Sequence, residues 1–148
     1  MKSSLVGLVM ATIISGHALV TQAAAQDGVF YECDMNVKLP NGWVSPKIGI
    51  VIDVAGKVRV IDSVTLNFLK APAKAGRMDK GNKMRLTWSI PAATDSRGQR
   101  IPTFRYVANL DRDTGAIRVI AKPTGAPQSW RGKGTCKTRS GPPPKILR

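Results

Sequence analysis

Strict alternation of polar and apolar side chains runs through the stretch Lys83-Met84-Arg85-Leu86-Thr87-Trp88-Ser89-Ile90. A period of two is typical of a β-strand with one face in a core and the other in solvent. The even-numbered residues therefore form the predicted inner face. The odd-numbered residues, two of which are cations, are predicted to point outward.

The same alternation recurs on both sides of this stretch. It predicts further strands at 29–38, 48–54, 58–61, 103–110, 116–122 and 129–138, separated by turns rich in Gly, Asn, Asp and Pro. Residues 63–82 are the least regular: Leu66, Phe68 and Leu69 could line a short helix or strand before Pro72, but the region as a whole is interpreted as a flexible connection. Residues 92–100 are interpreted as a loop. About seven strands with little helix predict an all-β fold, a small antiparallel barrel or sandwich with a meander-like course.

The two ends of the chain differ from this body. Residues 1–25 have the layout of a secretory signal peptide, with Lys2, a mostly apolar run and Ala23-Ala24-Ala25. A run of roughly 16 residues is short for a membrane helix, which needs about 20, so a retained anchor is the weaker alternative. We expect cleavage after Ala25, a periplasmic or secreted protein without a transmembrane span, one domain at 26–138, and a basic Pro-rich tail at 139–148.

The chain has two cysteines, Cys33 and Cys136. An even count in an exported protein favours a disulfide over metal binding or redox chemistry. The two residues lie in the first and last predicted strands. A disulfide between them requires those strands to be neighbours, because its geometry brings the two backbones together.

Positive charge is a second functional signal. Removing residues 1–25 leaves 123 residues and takes away only Lys2 from the 23 basic side chains, so the net charge falls from +14 to +13. Such a field attracts polyanions, although a merely soluble surface is the alternative. The candidate anion-binding residues are those cations that fall on predicted outer faces: Arg59, Lys83, Arg85, Arg105, Arg118, Arg131, Lys133 and Lys137.

Trp43 follows a predicted turn and has two interpretations. An exposed indole can stack on a sugar ring or a base, and this makes Trp43 a candidate binding residue. The alternative is that the ring packs against the end of the barrel. Trp88 and Trp130 fall on inner faces and are interpreted as structural.

Catalytic chemistry is poorly represented. His17, the only histidine, lies in the predicted signal peptide, so the domain has no imidazole for a hydrolase triad or a zinc site. A glycine-rich phosphate loop is also missing, and we predict no enzyme activity, cofactor or metal. The exception to consider is a hydrolase that uses aspartates alone, through Asp34 or Asp62. Asp111 and Asp113 lie in a turn and are expected to cap backbone N–H groups rather than bind a cation.

These observations predict a noncatalytic exported β-domain that binds an anionic envelope component: lipopolysaccharide, acidic polysaccharide, peptidoglycan or anionic lipid. The alternative is an interaction or assembly module that docks an acidic protein, with the Pro-rich tail as a contact arm. Nucleic acid is disfavoured, because RNA-recognition and zinc-finger signatures are missing and the compartment is wrong for a genomic role.

Two short motifs, Tyr31-Glu32-Cys33 and Gly134-Thr135-Cys136, resemble the ends of small periplasmic barrel proteins such as the C-type lysozyme inhibitors. The resemblance implies an inhibitor-like periplasmic module, but it covers only the ends of the chain. The central loop motifs of those inhibitors are missing here. Lysozymes of that type are basic, so a partner with a charge of +13 is repelled at long range, and the chain is not assigned to the family.

Overall fold

A computed structural model describes residues 28–37, 42–94 and 98–139. The predicted signal peptide at 1–25 and residues 140–148 of the predicted tail lie outside the described residues, whereas Arg139 belongs to β10. The elements are β1 Val29–Asn36, β2 Lys47–Ile52, β3 Val58–Asp62, α1 Ser63–Leu69, β4 Ala73–Lys80, β5 Lys83–Ile90, β6 Ala93–Thr94, β7 Arg100–Ile101, β8 Phe104–Asp111, β9 Ala116–Pro123 and β10 Trp130–Arg139.

Eight of these strands close into an antiparallel barrel in the order β1, β10, β9, β8, β5, β4, β3, β2. The all-β prediction is confirmed, and of its two alternatives the structure has the barrel rather than the sandwich. Most neighbours in the ring are also neighbours in the chain, which gives the expected meander. The strand count is eight in place of about seven.

The additional strand lies in the region interpreted as a flexible connection, and that interpretation is wrong. Residues 63–82 contain α1 and β4, which pairs with β3 over three residues and with β5 over five. Of the β4 side chains only Ala73 is buried, so the strand lacks an apolar alternation that could reveal it. The predicted loop at 92–100 also contains structure, since β6 and β7 pair with each other.

Inward side chains fill the barrel, as expected for an eight-stranded ring whose interior is just wide enough to hold them. Trp88 on β5 stacks on Tyr106 of β8 with ring centroids 5.0 Å apart. The largest fully buried side chains include Ile48, Ile50, Met84, Leu86, Ile90, Tyr106, Leu110 and Ile117. The outer surface is thereby left to polar residues over most strands.

Aromatic rings close one end of the barrel. Trp43 stacks on Phe104 at 3.7 Å between centroids and on Phe68 at 5.4 Å, and it meets Trp130 edge to face. The Tyr106 hydroxyl donates a hydrogen bond of 2.9 Å to the Trp43 carbonyl. This cluster ties the segment between β1 and β2 to the interior.

The disulfide joins the first and last strands, as predicted. Cys33 lies directly opposite Cys136 in the β1–β10 ladder, and the two sulfurs are bonded across a sequence separation of 103 residues. The ring is therefore fastened covalently where the two ends of the domain meet. No helix in the described ranges is long and apolar enough to cross a membrane.

Candidate functional site: a basic face of the barrel

The register of four adjacent strands places exposed polar side chains in one row. Arg85 on β5 lies opposite Asn109 on β8, Asn109 opposite Arg118 on β9, and Arg118 opposite Lys133 on β10. Adjacent strands are separated by about 4.8 Å, so this central row spans about 14 Å across the sheet. All four side chains point away from the core, opposite the buried residues of their strands.

Further cations lie on both sides of the central row. Lys83 is one step nearer the β8–β9 turn, and Arg131 lies on the far side, next to Ile120. Arg105 and Lys122 face each other one step farther on. We call this surface the basic face, and its cations are Lys83, Arg85, Arg105, Arg118, Lys122, Arg131 and Lys133.

A groove of about 900 Å³ crosses the basic face. It is lined by five cations and a single carboxylate: Lys80, Lys83, Arg85, Arg118, Lys133 and Asp111. Met78 and Asn109 also contribute to it. The groove therefore carries a clear excess of positive charge, and guanidinium and ammonium groups are strong donors to phosphate, sulfate and carboxylate.

The one carboxylate in the groove is directed toward its own turn. Asp111 Oδ1 accepts hydrogen bonds from the backbone N–H groups of Asp113 at 3.1 Å and Thr114 at 3.2 Å. These bonds hold the pKa of Asp111 below its ordinary value, with partial desolvation acting in the opposite direction. The turn role predicted for Asp111 is confirmed, since its Oδ1 accepts two backbone N–H groups.

The acidic side chains of β1 and β4, strands outside the basic face, form ion pairs with cations that do not belong to that face. Glu32 on β1 binds Arg139 at 2.6 Å, Asp34 binds Lys47, and Asp79 on β4 binds Arg77 at 2.7 Å. The ion pair with Lys47 holds the pKa of Asp34 below its usual value. Within the part of the chain that the structure describes, no carboxylate forms an ion pair with a cation of the central row.

Six of the eight predicted anion-binding residues lie on the basic face, and four of these line the groove: Lys83, Arg85, Arg118 and Lys133. Arg105 lies beyond the groove on β8. Arg131 lines a smaller cavity of about 380 Å³ at the aromatic end, beside Trp130.

The other two predicted residues are elsewhere. Arg59 is on β3, across the barrel from β9, and lies opposite Lys74. Lys137 lies opposite Glu32, on the part of β10 that faces the acidic residues of β1. The structure therefore does not bring Arg59 or Lys137 to the groove.

Three residues of the groove or of the basic face were not predicted from the sequence: Lys80, Asn109 and Lys122. Lys80 belongs to β4, whose sequence carries no strand pattern. Asn109 and Lys122 occupy outward positions of predicted strands, so the alternation itself could have included them. Asn109 is neutral and has no signal of its own until the register places it between two arginines.

Trp43 is half-buried, and its described ring contacts are with Phe68, Phe104 and Trp130. This geometry favours packing against the barrel end over an exposed stacking platform. The outward positions of the basic face carry no aromatic ring among the described residues.

The two aspartates considered for catalysis do not share a site. The carboxyl of Asp34 is on the outer surface with Lys47, whereas Asp62 is buried at the start of α1. Burial raises the pKa of Asp62 above its ordinary value, against the opposing effect of hydrogen bonds from Thr65 and Val64. In the described ranges, no three His, Cys, Asp or Glu side chains are grouped so as to hold a metal ion.

Comparisons of this chain with protein-family models, with curated proteins and with solved structures found no match. The geometry of the basic face is therefore the feature of this protein that bears on its function.

Proposed function

We propose that this protein is a noncatalytic exported β-domain that binds an anionic component of the cell envelope through its basic face. The observation that carries the proposal is the segregation of charge around the barrel. Seven cations share the outer surface of β5, β8, β9 and β10, whereas the carboxylates of β1 and β4 are paired with cations of their own.

Segregated charge favours a binding surface over a generic soluble one. A surface selected for solubility alone mixes both signs, because large fields of a single sign promote nonspecific association. Here the cations are concentrated on adjacent strands, where their fields add. A polyanion that lies across the strands can contact several of them at once.

The compartment and the ligand class follow from different observations. The predicted signal peptide directs the protein to the periplasm or outside the cell, and a structural disulfide suits an oxidising compartment. Single-stranded nucleic acid is bound with the help of aromatic stacking platforms, which the described outer surface of the basic face lacks. Lipopolysaccharide, acidic polysaccharide, peptidoglycan and anionic lipid fit better.

The test is binding of the purified, disulfide-intact protein to sacculi, lipopolysaccharide, anionic vesicles and DNA over a range of salt concentrations. A triple variant, Arg85→Gln, Arg118→Gln and Lys133→Gln, neutralises the central row. The matched control is a second triple variant, Lys57→Gln, Arg59→Gln and Lys74→Gln. It also removes three positive charges, but on the other side of the barrel.

We expect selective binding of one envelope polymer that persists at moderate salt. We also expect a loss of about tenfold or more in the central-row variant, because it removes three charge-assisted contacts. The control variant should change affinity by less than about threefold, through its long-range field alone. Equal losses in both variants contradict the proposal, and so does the absence of binding to any envelope polymer. The latter result favours an acidic protein partner.

A further inference from the structure

We infer that Arg85, Asn109 and Arg118 form a binding site for a phosphate monoester, the tetrahedral, doubly charged oxyanion through which the envelope component is recognised. This inference rests on the proposed function and specifies the chemistry of its ligand. It follows from the placement of a short polar side chain between two long cationic ones on three adjacent strands.

The three side chains surround one position above the sheet. Asn109 is the cross-strand neighbour of both arginines, and all three residues line the same groove, so the shorter amide lies at the base of the site with a longer guanidinium side chain on each side. The arginine backbones are two strand spacings apart, about 10 Å, which lets the two side chains lean toward each other above Asn109. Two guanidinium forks and an amide NH₂ then offer donors from three directions.

Donors from three directions suit a phosphate group better than a carboxylate. A phosphate monoester has three terminal oxygens and a charge between about −1.5 and −2 near neutral pH. A carboxylate has two oxygens in one plane, which a single arginine fork can satisfy. Among the described residues no carboxylate forms an ion pair with Arg85 or Arg118, and Asp111, the carboxylate of the groove, has its Oδ1 hydrogen-bonded to its own turn.

Apolar groups border this site. Val107 and Ile120, both half-buried, lie opposite each other on β8 and β9, one step along from Asn109 and Arg118. Met78 lies opposite Arg85 and is 69% exposed. These apolar groups can contact either the acyl chains of a lipid or the C–H face of a sugar ring, so the phosphate can be carried by a lipid or by a phosphorylated sugar.

The first experiment is an NMR titration of the disulfide-intact protein with inorganic phosphate. The signals to follow are the side-chain amide of Asn109 and the Nε–H groups of Arg85 and Arg118, with Arg59 as an internal reference. Sodium acetate at the same ionic strength is the comparison anion. We expect saturable shifts of the three site signals with phosphate, small shifts with acetate, and little response of Arg59.

The decisive variant is Asn109→Asp, which places a carboxylate between the two arginines. Asn67→Asp is the matched control, since Asn67 is exposed on α1 and the charge change is identical. We expect Asn109→Asp to weaken phosphate binding by about tenfold or more and Asn67→Asp by less than about twofold. The dispersion of the backbone amide signals shows whether each variant is folded.

The dependence on pH gives an independent readout. The second proton of a phosphate monoester dissociates near pH 6, so affinity for glucose 6-phosphate should rise as the pH increases through that value. Inorganic sulfate has no such proton and should bind with an affinity that does not change over the same range. If the affinities for glucose 6-phosphate and for sulfate depend on pH in the same way, or if neither depends on pH, the site does not select the phosphate dianion.

Two further ligands distinguish the possible sources of the phosphate group, a phosphorylated sugar and a lipid headgroup. Binding of glucose 6-phosphate without binding of phosphatidylcholine vesicles that contain phosphatidic acid supports a phosphorylated sugar, and the converse supports a lipid headgroup. Binding of neither overturns the inference. If envelope polymers bind through the central row while phosphate does not titrate and Asn109→Asp behaves like Asn67→Asp, the phosphate site fails and the proposed function stands.

Discussion

Asp62 combines burial with two local hydrogen bonds. It is 5% exposed and precedes α1, where its Oδ1 accepts the Thr65 N–H at 2.7 Å. The Thr65 hydroxyl in turn accepts the Asp62 N–H at 2.9 Å, completing a capping box. Burial disfavours the charged carboxylate more than these bonds favour it, so the pKa of Asp62 is raised above 3.8.

The raised pKa makes the contribution of Asp62 to stability dependent on pH. The folded protein holds this proton more tightly than the unfolded chain, so that contribution is present below about pH 3.8 and is lost as the pH rises through the folded pKa. Asn is an equally good cap and does not titrate. We therefore expect the unfolding free energy of Asp62→Asn to increase relative to that of the natural protein as the pH rises above 3.8, as measured by urea unfolding.

Asp34→Asn provides the control with the opposite sign. The pKa of Asp34 is lowered, so its contribution is present above pH 3.8 and is lost as the pH falls through the folded value. This variant should lose stability relative to the natural protein as the pH rises. Parallel pH profiles for the natural protein and Asp62→Asn would show that burial does not control the titration of Asp62.

Two glycines on β10 differ in what surrounds them. A Cβ atom on Gly134 would lie 2.2 Å from the Asp34 carbonyl oxygen and 2.9 Å from the Met35 Cα, which are backbone atoms of β1. For a Cβ atom on Gly132, the three nearest atoms would be side-chain methyl groups of Val44, Val37 and Met35, at 2.8–3.2 Å. The backbone of β1 therefore approaches β10 closely at Gly134, which is a common reason for a glycine inside a strand.

We expect Gly134→Ala to destabilise the protein by about 3 kcal/mol, because β1 must move away beside the disulfide. Gly132→Ala should cost less, about 1–2 kcal/mol, since side-chain methyl groups rather than backbone must shift and the unfolded chain loses entropy. Chemical denaturation of both variants measures the difference. Equal costs would mean that the backbone of β1 yields as easily as the side chains do.

Strand β4 pairs with different neighbours along its two halves. Residues Ala73, Lys74 and Ala75 pair with β3, whereas Gly76–Lys80 pairs only with β5 among the described residues. The free edge carries Arg77, Asp79 and Lys80, and charged side chains on an edge discourage pairing with other chains. The barrel is thus least tightly closed along the distal half of β4.

Hydrogen exchange should reveal this difference. Amides of Gly76–Lys80 that face away from β5 lack a backbone partner in the described structure, so we expect them to exchange at least about 100-fold faster than amides in β8, which is paired on both sides. The β3-paired residues of β4 serve as the comparison. Protection of Gly76–Lys80 equal to that of β8 would show that another segment covers the edge.

The contrast between β4 and β5 explains how far the sequence reveals the fold. In β5 every second residue is buried, and the alternation alone predicts the strand at its observed bounds. In β4 a single residue is buried, so its strand conformation comes from the ladders with β3 and β5 and not from its own side chains. Local patterns report burial, and they cannot report a strand formed through backbone pairing alone.

The residues that form the candidate site could also be predicted only in part from local sequence patterns. Alternation placed Arg85 and Arg118 on outer faces, but it could not show that Asn109 lies between them or that Arg59 lies across the barrel. Those relations depend on the ring order and on the register of each ladder. Charge composition indicated a polyanion ligand, and the topology is what concentrates that charge on one side.

The disulfide fastens the ring of strands where the first and last strands meet. In the chain-entropy model, a crosslink that closes a loop of about 100 residues stabilises a protein by roughly 4–5 kcal/mol, and measured effects are often smaller. We expect the double variant Cys33→Ala and Cys136→Ala to lose about 2–5 kcal/mol in unfolding free energy by chemical denaturation. The basic face lies on strands held by their own ladders, so the folded double variant should bind envelope polymers as the natural protein does. A stable double variant that no longer binds them would contradict this independence and show that the bond also positions the central row.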